Sequence, residues 1–358
     1  MNVALSSGCF IGHEDCIADA EVRRVELSGH RVDGFKYVLN QFRTSGTKVV
    51  GVHSPCPVRK AGVNLGASGA LWQSAKQELF ETGDIACGCH ADYVLVHAFY
   101  CIPGDLPADD LARMKSLRRL FRDGGSIAAY VASETYQSAK SQAIRNIRSL
   151  LPAWRRRFPR QKIVLENLNP RIGYGGIAFQ DVADIAKRFD GDVGICLDMG
   201  HLTLAQAALG VDVREGISEM RDLIWSAHAH DNFAGRFYVD RKWDANAADS
   251  SLQEVDIHLP FMTRYRRATS TFEVHVKPDN CAFEGVLEGG VHYMRPGFAT
   301  SEPSIKGSVP VDELLRLLSP DINVVLEFDS RYAPLSELLE EYHLANRGEH
   351  PLLRGTNS

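Results

Sequence analysis

The 358-residue chain is 44% apolar and 24% charged, with 15 prolines, a balance that supports a large folded core and argues against a disordered or fibrous protein. Its formal charge of −5 supplies no global basic field for gripping nucleic acid or an anionic membrane. No window approaches the ~18–20 apolar residues of a membrane span, and the start MNVALSSGCF lacks a basic and apolar leader pattern, so the expectation is a cytoplasmic protein.

Short runs rich in Val, Ile and Leu recur along the chain: NVALSS (2–7), VRRVELS (22–28), KVVGVHS (48–54), DYVLVHA (92–98), KIVLENL (162–168), VGICLDM (193–199), LIWSAHAH (223–230) and INVVLEF (322–328). Between them the spacing predicts helices over 33–45, 68–90, 107–123, 134–158, 178–189, 214–222, 310–318 and 335–345. Strands alternating with helices indicate parallel βαβ units, and this number fits a closed α/β (β/α)8 TIM barrel better than an open doubly wound sheet. The first strand is not followed by GxGxxG, which removes the main argument for a dinucleotide fold. The whole chain, 1–358, is read as a single TIM-barrel domain. The run Arg155, Arg156, Arg157 and Arg160 is read as the solvated end of a helix. Eight scattered cysteines suit a reducing compartment, and Cys87-Gly-Cys89, lacking a second pair, is read as free thiols.

Residues 260–308 are too long for an ordinary βα loop and are read as an insertion after the seventh strand. The alternating stretch through 270–276 and the returning GGVHYMR predict a hairpin, preferred as a lid over the barrel mouth; a decorative or oligomer-forming insertion is the alternative.

The chemistry is carried by where the metal-type side chains fall. His53, His97, Glu166, Asp198, His228 and Glu327 each lie near the C-terminal end of a different expected strand, third to eighth, the end at which barrel loops build active sites. His201 follows Asp198 by three positions, Asp256 and His258 lie together in DIH, and His230 follows His228 by two. Imidazole and carboxylate form an N/O donor set suited to Zn, Mn, Fe or Co, with about one to three ions per chain. Several mutually close anions also need cations between them.

VHSP (52–55), NLG (64–66), VLVH (94–97), VLEN (164–167), CLDMGH (196–201), HAHDN (228–232), DIHLP (256–260), GSVP (307–310) and VLEF (325–328) occur in an order that covers most of the chain. In these landmarks the sequence resembles the xylose-isomerase-like barrel superfamily, which includes sugar isomerases, epimerases and apurinic-site nucleases of the endonuclease IV type. The resemblance implies that Glu166, Asp198, His228 and Glu327 form the four-ligand site of the isomerases and epimerases. It further implies that His53, His97, His201, Asp256 and His258 extend that site to a trinuclear zinc centre of the endonuclease IV type. The 260–308 insertion departs from the pattern, and the HDN sequence is closer to the isomerase-like branch.

Three reactions fit such a centre. Isomerisation or epimerisation of a sugar, polyol or sugar phosphate stands first, with Glu166 and Glu327 as the acid/base pair and His230 or His201 orienting hydroxyls. Phosphodiester hydrolysis, with Glu166 bridging two ions, is the alternative and explains the larger ligand set. Multinuclear iron chemistry is the third. The expected partner is a small-molecule substrate, contacted by His230 and by Arg295 of the insertion. Nucleic acid is disfavoured by the acidic balance, and a homo-oligomer is left open.

Overall fold

Gly51 and Gly194 sit in strands that are otherwise walls of branched side chains, and both make room for an aromatic ring inside a closed barrel. The computed structural model describes residues 1–28, 35–56, 62–101, 127–170, 173–232, 237–240, 258, 260–261, 273–276, 284–287, 291–294, 309–328 and 335–350. The barrel strands are β1 Asn2–Ser6, β2 Arg24–Leu27, β3 Lys48–His53, β4 Tyr93–His97, β5 Lys162–Glu166, β6 Val193–Asp198, β7 Ile224–Ala229 and β8 Asn323–Leu326. They pair in parallel in the order β1-β8-β7-β6-β5-β4-β3-β2, with β2 returning to β1. All of the strands expected from the sequence are found.

The ring of helices comprises α1 Phe35–Thr44, α2 Gly69–Gly88, α3 Ile127–Val131, α4 Glu134–Arg157, α5 Phe179–Ala186, α6 Met199–Leu209, α7 Arg214–Glu219, α8 Val311–Leu317 and α9 Leu335–Asn346. The expected helix 107–123 lies outside the described residues. Among the described residues no helix is long and apolar enough to cross a membrane. The basic run does end α4, where Arg157 reaches Asp84 at 2.6 Å.

α6 corrects the sequence reading, whose expected helices pass from 178–189 to 214–222 with none between. MGHLTLAQAAL is apolar on nearly every side and its first turns are buried, so it carries no polar stripe from which a helical period can be read. The insertion also differs from the expected hairpin. Glu273–Val276 pairs in parallel with Val291–Met294, whose antiparallel partner is Glu284–Leu287. A further strand, Phe237–Asp240, lies antiparallel on Glu273–Val276, so this small sheet begins before residue 260.

Outward strand residues such as Leu5, Val25, Ile163 and Ile195 join one core with Ile147, Leu150 and Leu79 of the helices. Inside the barrel, Ala4, Val50 and Val325 form one cluster and Tyr93, Leu95, Val164 and Cys196 another. The pairing of β2 with β3 slips between Val25 and Glu26, and the slip lets Val50 and Gly51 both serve the interior. A Cβ on Gly51 would lie 2.2 Å from the Tyr93 ring, whose hydroxyl donates to Glu26 at 2.6 Å. Gly51→Ala should therefore displace that ring and destabilise the protein by about 1–3 kcal/mol, read as a lowered urea midpoint. An unchanged midpoint would mean that the ring has another place to go.

Candidate metal centre

The C-terminal ends of β3 to β8 deliver the site. His53 and His97 are the last residues of β3 and β4, Glu166 and Asp198 the last of β5 and β6, and Glu327 follows β8. β7 ends on His228-Ala229, with His230 just beyond. Strand closure thus gathers all the described members of the expected set, together with His258. Asp256 and Arg295 lie outside the described residues.

The residues form three donor clusters, in each of which one donor atom per residue lies within 4.8 Å of the others: His53, Cys56 and His97; His201, His230 and His258; and Glu166, Asp198, His228 and Glu327. Glu166 joins them. Its Oε2 stands 3.3 Å from Nε2 of both His53 and His97, while Oε1 stands 3.4 Å from His228 Nδ1 and 3.6 Å from His201 Nδ1. Cys87 and Cys89 belong to none of these clusters among the described residues.

Each histidine is fixed through its other ring nitrogen. A carbonyl oxygen can only accept, so Nδ1–H donates to a carbonyl in four of them: His53 to Ser54 (2.6 Å), His201 to Asn167 (2.9 Å), His230 to Asp231 (3.2 Å) and His258 to Glu327 (3.1 Å). His228 turns the other way, with Nε2 on Glu26 Oε1 at 2.9 Å, and His97 Nδ1 meets the Tyr100 hydroxyl. In the neutral ring the tautomer so selected leaves the remaining lone pair facing the cluster, which is how outer partners orient metal-binding imidazoles.

Glu166 Oε2, Asp198 Oδ2, Glu327 Oε2 and His228 Nδ1 are buried and take no hydrogen bond. Yet His228 Nδ1 lies 2.9 Å from Glu327 and 3.8 Å from Asp198. Buried polar atoms normally find partners; donors converging without hydrogen-bond geometry fit a shared cation. Burial alone would raise Glu166, but His228 and His97 hold it well below the usual carboxylate value, and His228 and His258 lower Glu327 likewise. Burial opposes charge on His228 and His97, yet Cys196, Glu327, Glu26 and Glu166 around the first, and Cys56, Tyr100 and Glu166 around the second, hold both well above the ordinary imidazole value.

The local sequence explains this precision. Asp198 caps α6, accepting from His201 N–H at 2.6 Å through Oδ1, which also lies 3.2 Å from His230 Nε2. A Cβ on Gly200 would lie 2.0 Å from the His230 ring, so LDMGH needs glycine there. His230 stacks on His258 with centroids 3.9 Å apart. Asn167 clamps Asp198 from β5, accepting from its N–H (2.8 Å) and donating to its C=O (3.0 Å). Asn64 of NLG accepts from Tyr100 N–H at 3.0 Å, and Phe99–Tyr100 pairs with Tyr174–Gly175. Asp231 of HDN accepts from Val309 N–H at 3.2 Å.

Sequence reasoning passed over Glu26, Cys56, Tyr100 and Asn167. A glutamate inside an apolar strand and the His53-x-x-Cys56 spacing were the available signals for the first two. Tyr100 and Asn167 act through backbone and ring contacts that spacing does not reveal.

Glu26→Leu should weaken divalent-ion binding by about 10- to 100-fold, whereas Glu26→Gln, which keeps a carbonyl acceptor for His228, should lose less; calorimetric titration of chelator-treated protein reads both. Equal affinities would remove His228 from the ligands. Because His97 and His228 are held above the ordinary imidazole value, they carry protons near neutrality that a cation must displace. Zinc loading should release protons, and apparent affinity should rise with pH; titration in two buffers of different ionisation enthalpy measures this.

No family model matches the chain, and no curated protein matches it. Among solved structures, a protein from Sinorhizobium meliloti 1021 aligns at 12% identity over 95% of this chain and 94% of its own, with a TM-score of 0.52. A xylose isomerase domain protein from Planctomyces limnophilus aligns at 10% identity over 98% of each chain, with a TM-score of 0.49. Endonuclease IV from Thermus thermophilus aligns at 15% identity over 99% of each, with a TM-score of 0.47. At such identities the likeness is one of fold, and the chain has the closed eight-stranded TIM barrel that its resemblance to the xylose-isomerase-like superfamily implies.

Proposed function

We propose that the chain is a divalent-metal-dependent enzyme whose multinuclear centre hydrolyses a small phosphate ester, most directly a phosphodiester. The observation that carries this reading is the position of Glu166, whose two oxygens are divided between His53 and His97 on one side and His228 on the other. A carboxylate whose two oxygens face different donors could be shared between ions, and neither oxygen would then be free to take a carbon-bound proton. That weighs for the hydrolytic alternative over the isomerisation the sequence placed first.

When bound, divalent ions supply Lewis acidity at such a centre, neutralising phosphoryl charge and acidifying water. The chain's own residues organise it. Locked tautomers present imidazole lone pairs with little reorganisation. Asn167 and the start of α6 fix Asp198, and His230, stacked on His258 and lying against Asp198, is the group proposed to exchange a proton with substrate or leaving group. Arg295 of the insertion, which we take as a lid within a single domain, is proposed to meet the phosphate. A small substrate accords with the acidic balance of the chain, which offers no general field for a polyanion.

Isomerisation or epimerisation of a sugar remains the second reading, favoured by one observation. Glu327, in the four-ligand cluster, keeps 20% of its side chain exposed and can approach a substrate C–H bond. The two are separated by assaying metal-loaded protein on bis(p-nitrophenyl) phosphate and, in heavy water, on a ketose panel. Phosphodiester cleavage that falls at least about a hundredfold in Glu166→Gln is expected. Deuterium incorporation into a ketose without phosphodiester cleavage would overturn the hydrolytic reading.

A further inference from the structure

Cys56 lies in the loop after β3, three residues past His53, in a sequence otherwise notable for histidine and carboxylate. Its Sγ stands 3.6 Å from each ring nitrogen of His97, and Sγ, His97 and His53 together form one of the three donor clusters. The loop is anchored on both sides of the thiol. Ser54 N–H donates to Leu95 C=O at 2.8 Å, and Val63 N–H donates to Pro55 C=O at 2.9 Å. An independent observation points to a ligand at the same place: Glu166 Oε2, on a residue only 1% exposed, has no hydrogen-bond partner and faces His53 Nε2 and His97 Nε2 at 3.3 Å each.

These separations have a common explanation. Ligands of a tetrahedral zinc ion, at about 2.0–2.1 Å for nitrogen or oxygen and about 2.3 Å for sulfur, stand roughly 3.4 Å apart for an N,O pair and roughly 3.6 Å apart for an S,N pair. The observed 3.3 Å and 3.6 Å fall on those values. A hydrogen-bonded ring would bring nitrogen and carboxylate oxygen closer, to about 2.7–2.9 Å.

We propose that Cys56 is a thiolate ligand, completing with His53, His97 and Glu166 a tetrahedral site of two nitrogens, one sulfur and one oxygen that takes a thiophilic divalent ion, zinc above all, at one corner of the centre. The inference rests on the metal-dependent reading above and deepens it. The thiol gives up its proton to solvent as the S–metal bond forms, with no change of oxidation state. Sulfur there disfavours magnesium, calcium and manganese, which prefer oxygen donors. The remaining corners, built from imidazole and carboxylate, keep the broader preference of their donors.

The test is cobalt titration of chelator-treated full-length protein under argon, with bound cobalt counted by elemental analysis. Thiolate-to-cobalt charge-transfer absorption in the near ultraviolet is expected, together with its loss in Cys56→Ser while the other cysteines remain. A companion measurement on the unaltered chain needs no variant: peptide mass spectrometry should find alkylation of Cys56 slowed at least about tenfold by stoichiometric zinc, and not by magnesium. Cobalt bound without the thiolate band, and with Cys56 alkylated at the same rate, would overturn the assignment of Cys56 and leave the metal centre standing. Failure to bind any cobalt or zinc would overturn both.

Discussion

Four carboxylates surround the imidazole of His228: Glu26 on its Nε2 side, and Glu166, Asp198 and Glu327 on its Nδ1 side. Anions gathered in a buried space repel, and taking each from water costs several kcal/mol unless positive charge stands among them. Histidine can provide part of that charge by holding protons, as the raised values of His228 and His97 indicate. A divalent cation provides it more effectively, without occupying the lone pairs that protons would block. The surrounding structure is arranged around this balance. Tyr93 donates to Glu26, Asn167 holds Asp198, and carbonyls fix the outer histidines, so that the charged groups cannot relax away from one another.

The landmarks of the sequence divide accordingly into donors and their supports. Asn64 of NLG brings no donor to the centre; it matters because it holds the backbone of Tyr100, which meets His97. Asn167 of VLEN joins two strands at the level of the site, and Asp231 of HDN ties the exit of β7 to the segment before α8. Polar residues at strand ends are thus of two kinds, and only their contacts separate them.

The fold was legible because each barrel strand is a compact branched run and each amphipathic helix carries a stripe. α6 escaped because its sequence is apolar around the whole helix. The donors were legible because strand-end position is a sequence property once the strands are known. Glu26 was not, since its value comes from meeting His228, 202 residues away, across the closed barrel. Cys56 was passed over as one thiol among eight cysteines: its spacing from His53 gains meaning only with His97 beside it. The parallel pairing of Glu273–Val276 with Val291–Met294 was equally invisible, because alternation fixes the face of a strand and not its direction.

Because the donors come from consecutive strands spread over more than 250 positions, from His53 to Glu327, no fragment of the chain contains the site. It comes into being only when β8 docks between β7 and β1. A cation that requires the full donor set therefore binds the closed barrel and not its opened forms, and shifts the folding equilibrium by mass action. Ion supply would then govern the lifetime of the seam as well as any chemistry at the mouth: β8 would be a latch, and a bound ion what keeps it shut.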